Sequence, residues 1–287
     1  MAVNGQASGV ADAAGVAREL AGLLRALATD GEVVVTGSEK ELWALLRRGS
    51  LQGARVVLVG GDGSLQAAAN APLRRLPELA LVPAGRANNI ARALGIPVER
   101  SRALSLAAGG RARPLDALRV VTPDRLVYAL EAVSAGFQAD ARAGYDSDNS
   151  ADLRRGLAAF VRALVHYRPY AAAIGLSGGV LRSRAAAQLF FSNLPYFGFG
   201  FEVDPGADPA DGRFEAIAIE ARSRRRLLWL LAAARRGRHI GRRGVRRMSA
   251  RFARVLEPLP LVADSVPLGV TTATVTVDHG RLRVAAP

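Results

Sequence analysis

The segment VVLVGGDGS at residues 56–64 constrains the fold of this chain more than any other feature. Its continuous apolar run predicts a strand that is covered on both faces. The two glycines that follow let the backbone turn sharply and approach a ligand that a Cβ atom would obstruct. Helix-forming residues resume at Ser64, so the unpaired N–H groups of a helix start would face the same loop. The alternative interpretation is a tight strand-to-helix turn with an exposed Asp62.

The same arrangement recurs at residues 79–97, where LALV is followed by PAGRAN and a short helix that ends at Gly95 and Pro97. Asn88 and Asn89 stand at the capping position of that helix. A helix over 11–29, a strand at 33–35 and a helix around 40–48 precede both loops. Such units in succession predict a parallel sheet with helices on both faces, and loops at the ends of neighbouring strands form adjacent walls of a nucleotide-binding crevice.

After about residue 115 the pattern changes to strands with period-2 or β-branched character. We predict strands at 118–121, 126–133, 170–174, 180–192, 214–219 and 271–277, and helices at 151–167 and 223–237. The fold class is therefore an α/β domain with a parallel sheet over residues 1–115, followed by a β-rich antiparallel domain over residues 116–287. One option is that the last strand returns to the first domain.

Composition excludes several classes of site. The chain has no cysteine, which removes disulfides, thiolate metal sites and cysteine nucleophiles. Its three histidines are far apart in sequence, so a histidine-rich metal centre is not expected. Lys40 is the only lysine, which excludes the lysine of a GxxxxGK[ST] phosphate loop and that of a protein-kinase VAIK motif.

The charge balance is strongly basic, with 39 Lys and Arg against 25 Asp and Glu and a formal net charge of +14. Such a chain is attracted to nucleic acid, to an anionic membrane face or to phosphorylated substrates. Biased codon composition is the alternative explanation of so much arginine. No secretory pattern and no apolar run of the ~20 residues that a bilayer requires is visible. We expect a cytoplasmic protein whose membrane contact is peripheral.

The two loops resemble those of the diacylglycerol kinase catalytic-domain family, a family of lipid kinases that includes sphingosine kinases and is distantly similar to NAD kinases. The resemblance begins with GGDGS (60–64) and GRANNIARALGIP (85–97). It continues in chain order through VNGQASG (3–9), PLD (114–116), AVSAGFQAD (132–140), SNLPYFGFGFEVDPGADPADGRFEAI (192–217) and the terminal ADSVPLG…LRVAAP (263–287).

This resemblance implies an NAD kinase-like fold and an enzyme of lipid metabolism and phospholipid biosynthesis. The enzyme would transfer the γ-phosphate of ATP, with Mg²⁺, to the hydroxyl of diacylglycerol or a related lipid. The second domain would hold the lipid. The residues implied to bind the nucleotide are Thr36, Gly60, Gly61, Asp62, Gly63, Ser64, Leu65, Gln66, Gly85, Arg86 and Asn88.

The segment DPADGRF (208–214) is implied to hold a structural magnesium ion. The ligands would be the Asp211 carboxylate and the backbone carbonyls of Asp208 and Arg213. Oxygen-only ligation suits Mg²⁺ or Ca²⁺. The alternative is an Asx-type turn with no ion.

Two positions depart from the family pattern. Arg86 replaces a loop threonine, and arginine either binds phosphate more strongly or fills the site. Val266 replaces the glutamate of a terminal DGE triplet, which is thought to accept the proton of the lipid hydroxyl. The catalytic candidates that remain are Asp62 and Asp264. The alternatives are a catalytically degenerate member that binds nucleotide or lipid, and a kinase redirected to a non-lipid alcohol.

Residues 222–247 contain eleven arginines and no acidic residue, and they flank LLWLL (227–231). This pattern is typical of a helix that lies at an anionic membrane surface, although the leucines are equally compatible with a core. Trp229 is the only aromatic residue of the segment, so we expect no nucleic-acid partner. The oligomeric state is left open, with a homodimer as one option.

Overall fold

The computed structural model describes residues 1–7, 12–26, 32–143, 153–198 and 200–287. The chain divides into two compact units. Unit 1 contains residues 1–117 and 279–287, and unit 2 contains residues 118–278. The ends of the helices predicted at 11–29 and 151–167, and residues 8 and 9 of the VNGQASG segment, lie outside the described residues.

Unit 1 is built from strand–helix repeats. Its elements are β1 (Ala2–Asn4), α1 (Ala13–Ala26), β2 (Val34–Thr36), α2 (Glu39–Gln52), β3 (Val56–Gly60), α3 (Asp62–Ala69), β4 (Leu79–Pro83), α4 (Asn89–Ala93) and α5 (Arg100–Gly109). The strands are parallel in the order β4, β3, β1, β2. The end of the last strand of the chain, β15 (Val266–Ala286), adds beside β4 through Val284 and Leu79.

The sheet of unit 1 is covered by helices, as the continuous apolar run predicted. All five residues of β3 are buried. Val57 and Val59 of β3 pack with Leu20 of α1 and with Ala103 and Ala107 of α5 in one cluster. Because both faces of a parallel strand are buried in this way, its sequence has no alternating pattern.

Unit 2 is an antiparallel sheet structure with three helices. Its elements are the end of β5 (Arg111–Val121), β6 (Leu126–Ala129), β7 (Ala132–Gly136), α6 (Phe137–Ala143), α7 (Leu153–Val165), β8 (Tyr170–Leu176), β9 (Gly179–Ser192), β10 (Tyr196–Phe197), β11 (Phe201–Glu202), β12 (Phe214–Glu220), α8 (Arg224–Ala234), β13 (Val245–Ala250), β14 (Phe252–Ala263) and most of β15. The main path runs β13, β12, β9, β7, β14, β15, and β8 pairs with both β9 and β14.

Alternate residues of β9 and β12 face two different cores. Phe191, Phe214 and Ala216 belong to a core formed only by strands. Phe190 and Ile217 belong to a second core, which also contains residues of α6, α7 and α8. The three helices therefore lie on one face of the β9–β12 sheet, and the other face packs against strands.

The predicted fold class is confirmed, but the sequence reading missed β13 and β14. In β14 the residues Pro258 and Pro260 have no N–H to donate, and the pairing with β15 shifts register between Val255 and Leu259. Two prolines interrupt the alternation that a strand prediction requires. None of the helices in the described part of the chain is long and apolar enough to cross a membrane.

His239 gives unit 2 a testable dependence on pH. The residue is 0% exposed. Burial lowers the pKa of His239 below its ordinary value, and the nearby charge of Asp204 opposes this effect. The unfolded chain therefore binds the proton more readily than the folded chain, so stability is lost as pH falls through the unfolded pKa of about 6.5.

We expect the free energy of unfolding of the His239→Leu variant to change less than that of the parent between about pH 8 and about pH 5.5. Urea unfolding at the two pH values measures the difference. His166 is exposed, so His166→Leu serves as the matched control for the removal of an imidazole. An identical pH dependence in the His239→Leu variant and the parent would contradict the prediction.

Candidate functional site

The candidate site of unit 1 lies where its parallel strands end. Thr36 pairs with Asn4 at the ends of β2 and β1, and Gly60 pairs with Pro83 at the ends of β3 and β4. The carboxyl ends of the four strands therefore meet along one edge of the sheet. This is the edge at which open parallel sheets bind their ligands.

Ser64 joins the first loop to β1. Its buried hydroxyl accepts a hydrogen bond from Asn4 Nδ2 at 2.9 Å. Asn4 was not among the predicted site residues, and its position at the end of a strand before a glycine is the signal that points to it. Three further residues of this edge are buried, namely Thr36, Leu65 and Gln66. The apolar side chain of Leu65 therefore contributes by packing.

The two glycine loops touch through Gly61 and Gly85. A Cβ atom on Gly61 would lie 2.8 Å from the Cα atom of Gly85, and a Cβ atom on Gly85 would lie 2.7 Å from the Cα atom of Gly61. Real Cβ atoms do not approach that closely, so both positions require glycine. In contrast, a Cβ atom on Gly63 would meet nothing within 4 Å. The first turn of α3 therefore presents open space at Gly63.

Asp62 holds the second loop with its carboxylate. Its Oδ2 accepts a hydrogen bond from Asn89 N at 3.0 Å, and its Oδ1 accepts one from Ile90 N at 2.9 Å. These amides open α4, so Asp62 supplies a helix cap from another loop. Burial raises the pKa of Asp62, and the backbone hydrogen bonds oppose that rise.

Asn88 closes the second loop on itself. Its Oδ1 accepts from Gly85 N at 3.0 Å, and its Nδ2 donates to Gly85 O at 2.9 Å. Asn88 has a φ of 49°, in the left-handed region that asparagine tolerates better than most residues. The loop places Arg86 at its exposed tip.

In unit 2, Asp264 is engaged with three backbone amides. It accepts hydrogen bonds from Leu130 N at 2.7 Å, Glu131 N at 2.9 Å and Ala132 N at 3.0 Å. Glu131 is a buried carboxylate beside this contact that the sequence reading missed. Its Oε2 accepts from Gly198 N at 3.2 Å. The only signal in the sequence is one acidic residue within an otherwise apolar run.

The predicted metal ligands lie on one turn of unit 2. Asp211 Oδ1 accepts from Arg213 N at 2.8 Å, and Asp208 Oδ1 accepts from Ala210 N at 3.0 Å. Both contacts have the form of Asx turns, which form without an ion. Across the described ranges, no group of three or more His, Asp or Glu side chains is arranged to hold a metal ion. An oxygen-only site there would depend on backbone carbonyls.

Val266 packs in a direction that the sequence did not predict. It is half-buried and lies against the strand-only core of unit 2. A carboxylate at this position would therefore meet apolar side chains.

Comparison with known proteins agrees with this geometry. Residues 2–120 match the family described as diacylglycerol kinase catalytic domain. Residues 131–286 match the family described as YegS C-terminal NAD kinase beta sandwich-like domain. Together the two matches include both glycine loops and most of unit 2.

Two relatives illustrate the range of similarity. A protein of Xanthomonas campestris pv. campestris named "Probable lipid kinase YegS-like" is 35% identical over 42% of this chain and 41% of its own length. A protein of Bacillus subtilis named "Diacylglycerol kinase" is 28% identical over 64% of this chain and 61% of its own length. The chain thus matches less than two thirds of the length of either relative.

Solved structures share the fold. The crystal structure of a diacylglycerol kinase from Bacillus anthracis str. Sterne gives a TM-score of 0.69 at 18% identity, over 100% of this chain and 95% of that chain. Another structure from the same bacterium gives a TM-score of 0.78 at 17% identity.

The fold and the family matches define a chain in which a diacylglycerol kinase catalytic domain is followed by a YegS-type beta sandwich-like domain. The chain belongs to the diacylglycerol kinase catalytic-domain family, with a YegS-type C-terminal region. The predicted resemblance is confirmed.

The capping role of Asp62 yields a prediction about stability. We expect Asp62→Ala to lower the free energy of unfolding by about 1–3 kcal/mol, because two backbone amides lose their acceptor. Asp62→Asn should cost less, since one side-chain oxygen can still accept. Urea unfolding measures both variants, and Asp124→Ala at an exposed turn is the control. Equal stability of the Asp62→Ala variant and the parent would contradict the capping role.

Proposed function

We propose that the chain is an ATP-dependent lipid kinase that transfers the γ-phosphate to the hydroxyl of diacylglycerol or a related lipid. The observation that carries this proposal is the pair of glycine loops at the ends of neighbouring parallel strands, held together at Gly61 and Gly85, in a member of a lipid kinase family. Unit 1 would bind the nucleotide and unit 2 would hold the lipid.

The residues at this edge fit a nucleotide phosphate. The open space at Gly63 leaves room beside the first turn of α3 for an anion that its amides could bind. Arg86 stands at an exposed loop tip, where a guanidinium can reach a phosphate oxygen. When bound, ATP·Mg²⁺ would supply the phosphoryl group and the charge that neutralises it. Gly60, Ser64 and Asn88 would act by holding the loops in place.

The proton of the lipid hydroxyl would pass to Asp62 or Asp264 in this proposal. Either carboxylate would serve only where its amide contacts leave a lone pair available to the hydroxyl. Mg²⁺ on the turn from Asp208 to Arg213 would be a structural ion, bound by Asp211 and two carbonyls. We further propose that the protein works in the cytoplasm and contacts the membrane peripherally, because a lipid substrate resides in a bilayer.

The direct test is phosphoryl transfer from radiolabelled ATP to a panel of lipid and non-lipid alcohols. We expect label in the phosphorylated lipid when diacylglycerol or a related lipid is present with Mg²⁺. If the label appears only in a non-lipid alcohol, the acceptor is that alcohol and not a lipid. Absence of transfer to any alcohol, with bound nucleotide, would reject the kinase activity.

A substitution at Gly63 tests where the nucleotide binds. We expect Gly63→Ala to raise the KM for ATP about tenfold or more, because the new methyl group enters space that the phosphates would use. The unfolding free energy should not fall, since alanine favours a helix over glycine by about 1 kcal/mol. Gly109→Ala in α5 is the matched control, because a Cβ atom there also meets nothing within 4 Å. An unchanged KM in the Gly63→Ala variant would place the nucleotide elsewhere.

A second candidate function is a binding protein without turnover. It is favoured by the engagement of both Asp62 and Asp264 with backbone amides and by the packing of Val266 against a core. Such a member would bind nucleotide or lipid and transfer no phosphoryl group.

The Val266→Glu variant tests whether a glutamate at this position can still accept the proton of the lipid hydroxyl. The alternative is that the packing of the strand here no longer accommodates a carboxylate. We expect no gain in kcat and a loss of about 1–3 kcal/mol in unfolding free energy, because the new carboxylate would lie against apolar side chains. Val270→Glu, at a position that is 72% exposed on the same strand, is the control and should be close to neutral. A large rise in kcat on Val266→Glu would show that the position can still present a base to the substrate.

A further inference from the structure

Helix α7 carries a line of exposed aliphatic side chains. Leu157, Val161 and Val165 are 61%, 47% and 52% exposed. They are spaced four residues apart, so they form one stripe along the helix, called here the α7 stripe. Phe160 and Leu164, each one position before a residue of the stripe, pack into the helix-covered core. The stripe therefore has no role in that core.

Helix α8 repeats this division between an inner and an outer face. Leu227 and Leu230 are buried in the same core as α7, whereas Leu228 and Trp229 are 41% and 43% exposed. The guanidinium groups of Arg226 and Arg242 lie 4.5 and 4.9 Å from the centre of the Trp229 ring. An exposed indole between two arginines combines an apolar body with positive charge.

The outer faces of α7 and α8 belong to one side of unit 2. Both helices pack their inner faces on the β9–β12 sheet through the core that contains Phe190 and Ile217. The Arg224 guanidinium donates a hydrogen bond to Val165 O, so the end of α7 lies beside the start of α8. The α7 stripe and Trp229 therefore both project from the layer of helices that covers this sheet.

The two chain segments that contain α7 and α8 carry only positive formal charge. The sequence has four arginines and no acidic residue over 153–168, and eleven arginines and no acidic residue over 222–247. Arg246 and Arg247 pair with Glu220, Asp204 and Glu215. Arg222, Arg225 and Arg236 are exposed around α8. A large part of the positive charge is therefore not neutralised by carboxylates.

We propose that the outer face of α7 and α8 is a docking surface for an anionic lipid bilayer. Aliphatic and indole side chains beside arginines match the interface of a bilayer with negative headgroups, where apolar groups enter and guanidinium groups bind phosphate. A nucleic acid would use aromatic stacking and would leave the α7 stripe exposed. A second copy of this face would repel the first by its charge.

This inference deepens the proposed function by naming the surface through which a lipid kinase would reach its substrate. The test does not require turnover. The full chain is mixed with vesicles of phosphatidylcholine, with or without phosphatidylglycerol, and the bound fraction is measured by flotation. We expect binding only with phosphatidylglycerol, and less binding as salt increases, because exposed charges are screened.

Two variants separate the apolar and the charged contributions. The triple variant Leu157→Ser, Val161→Ser, Val165→Ser should weaken vesicle binding about tenfold or more at constant salt. The triple variant Arg222→Gln, Arg225→Gln, Arg236→Gln should weaken it on the order of 100-fold at low salt and reduce its salt dependence. The control combines Leu51→Ser and Arg47→Gln on α2, where both residues are also exposed, and should bind like the parent.

Three outcomes would overturn the docking surface. They are equal binding of the parent to neutral vesicles, unchanged binding of both triple variants, and binding of a single-stranded oligonucleotide in place of vesicles through the same arginines. An assay of phosphoryl transfer to a short-chain, water-soluble diacylglycerol distinguishes a failure of the docking surface from a failure of the proposed kinase activity. The stripe variant should retain the parent's rate of phosphoryl transfer to that acceptor. Vesicle binding without any phosphoryl transfer would support the docking surface and contradict the kinase activity.

Discussion

The contact between Gly61 and Gly85, together with the carboxylate of Asp62, is the constraint on which the candidate site depends. The loops that follow β3 and β4 approach so closely that neither glycine has room for a Cβ atom. Asp62 then accepts hydrogen bonds from the first amides of α4. The position of either loop thus determines the position of the other. Any ligand at the carboxyl ends of these strands would meet both loops together.

Much of this could be predicted from the sequence, because each step there is local. The apolar run before GGDGS indicates a strand covered on both faces, and the glycines indicate a turn that brings the backbone close to another group. The partner of Asp62 could not be predicted in this way. Its acceptor contacts join residues 27 and 28 positions apart, and they depend on the register in which Gly60 pairs with Pro83.

The same limit explains what was missed in unit 2. Asp264 reaches the amide of Leu130 across 134 positions, so no local pattern announces the contact. The prolines of β14 conceal a long strand, and half-buried Val266 lies against a core whose residues run from Leu118 to Val275. In the sequence analysis, Val266 departs from the terminal motif of the family that the chain resembles. Only the packing indicates that a carboxylate is disfavoured at this position.

Carboxylates in this chain serve repeatedly as anchors between distant segments. Asp62 caps α4, Asp264 binds the amides of 130–132, and Asp116 accepts from the amide of Gly280 at 2.7 Å. Asp116 is buried, whereas Asp62 and Asp264 are half-buried, and each carboxylate gains backbone donors in exchange for water. Two of these anchors are also the catalytic candidates. If substitution of Asp62 or Asp264 abolishes phosphoryl transfer, this result indicates a catalytic role only when the same variant is shown to keep its stability.

The arginines of unit 2 combine two roles that lysine would serve less well. The guanidinium groups of Arg224, Arg226 and Arg246 donate to the carbonyls of Val165, Arg243 and Arg182. A carbonyl satisfies a donor without removing its charge, and a guanidinium retains further N–H groups for another acceptor. Codon bias alone would explain abundant arginine anywhere in the chain. It does not explain why Arg224 and Arg226 bind α8 to the end of α7 and to the segment before β13, while a run of 26 residues, 222–247, contains no acidic side chain. The same contacts leave the surface of α8 positively charged.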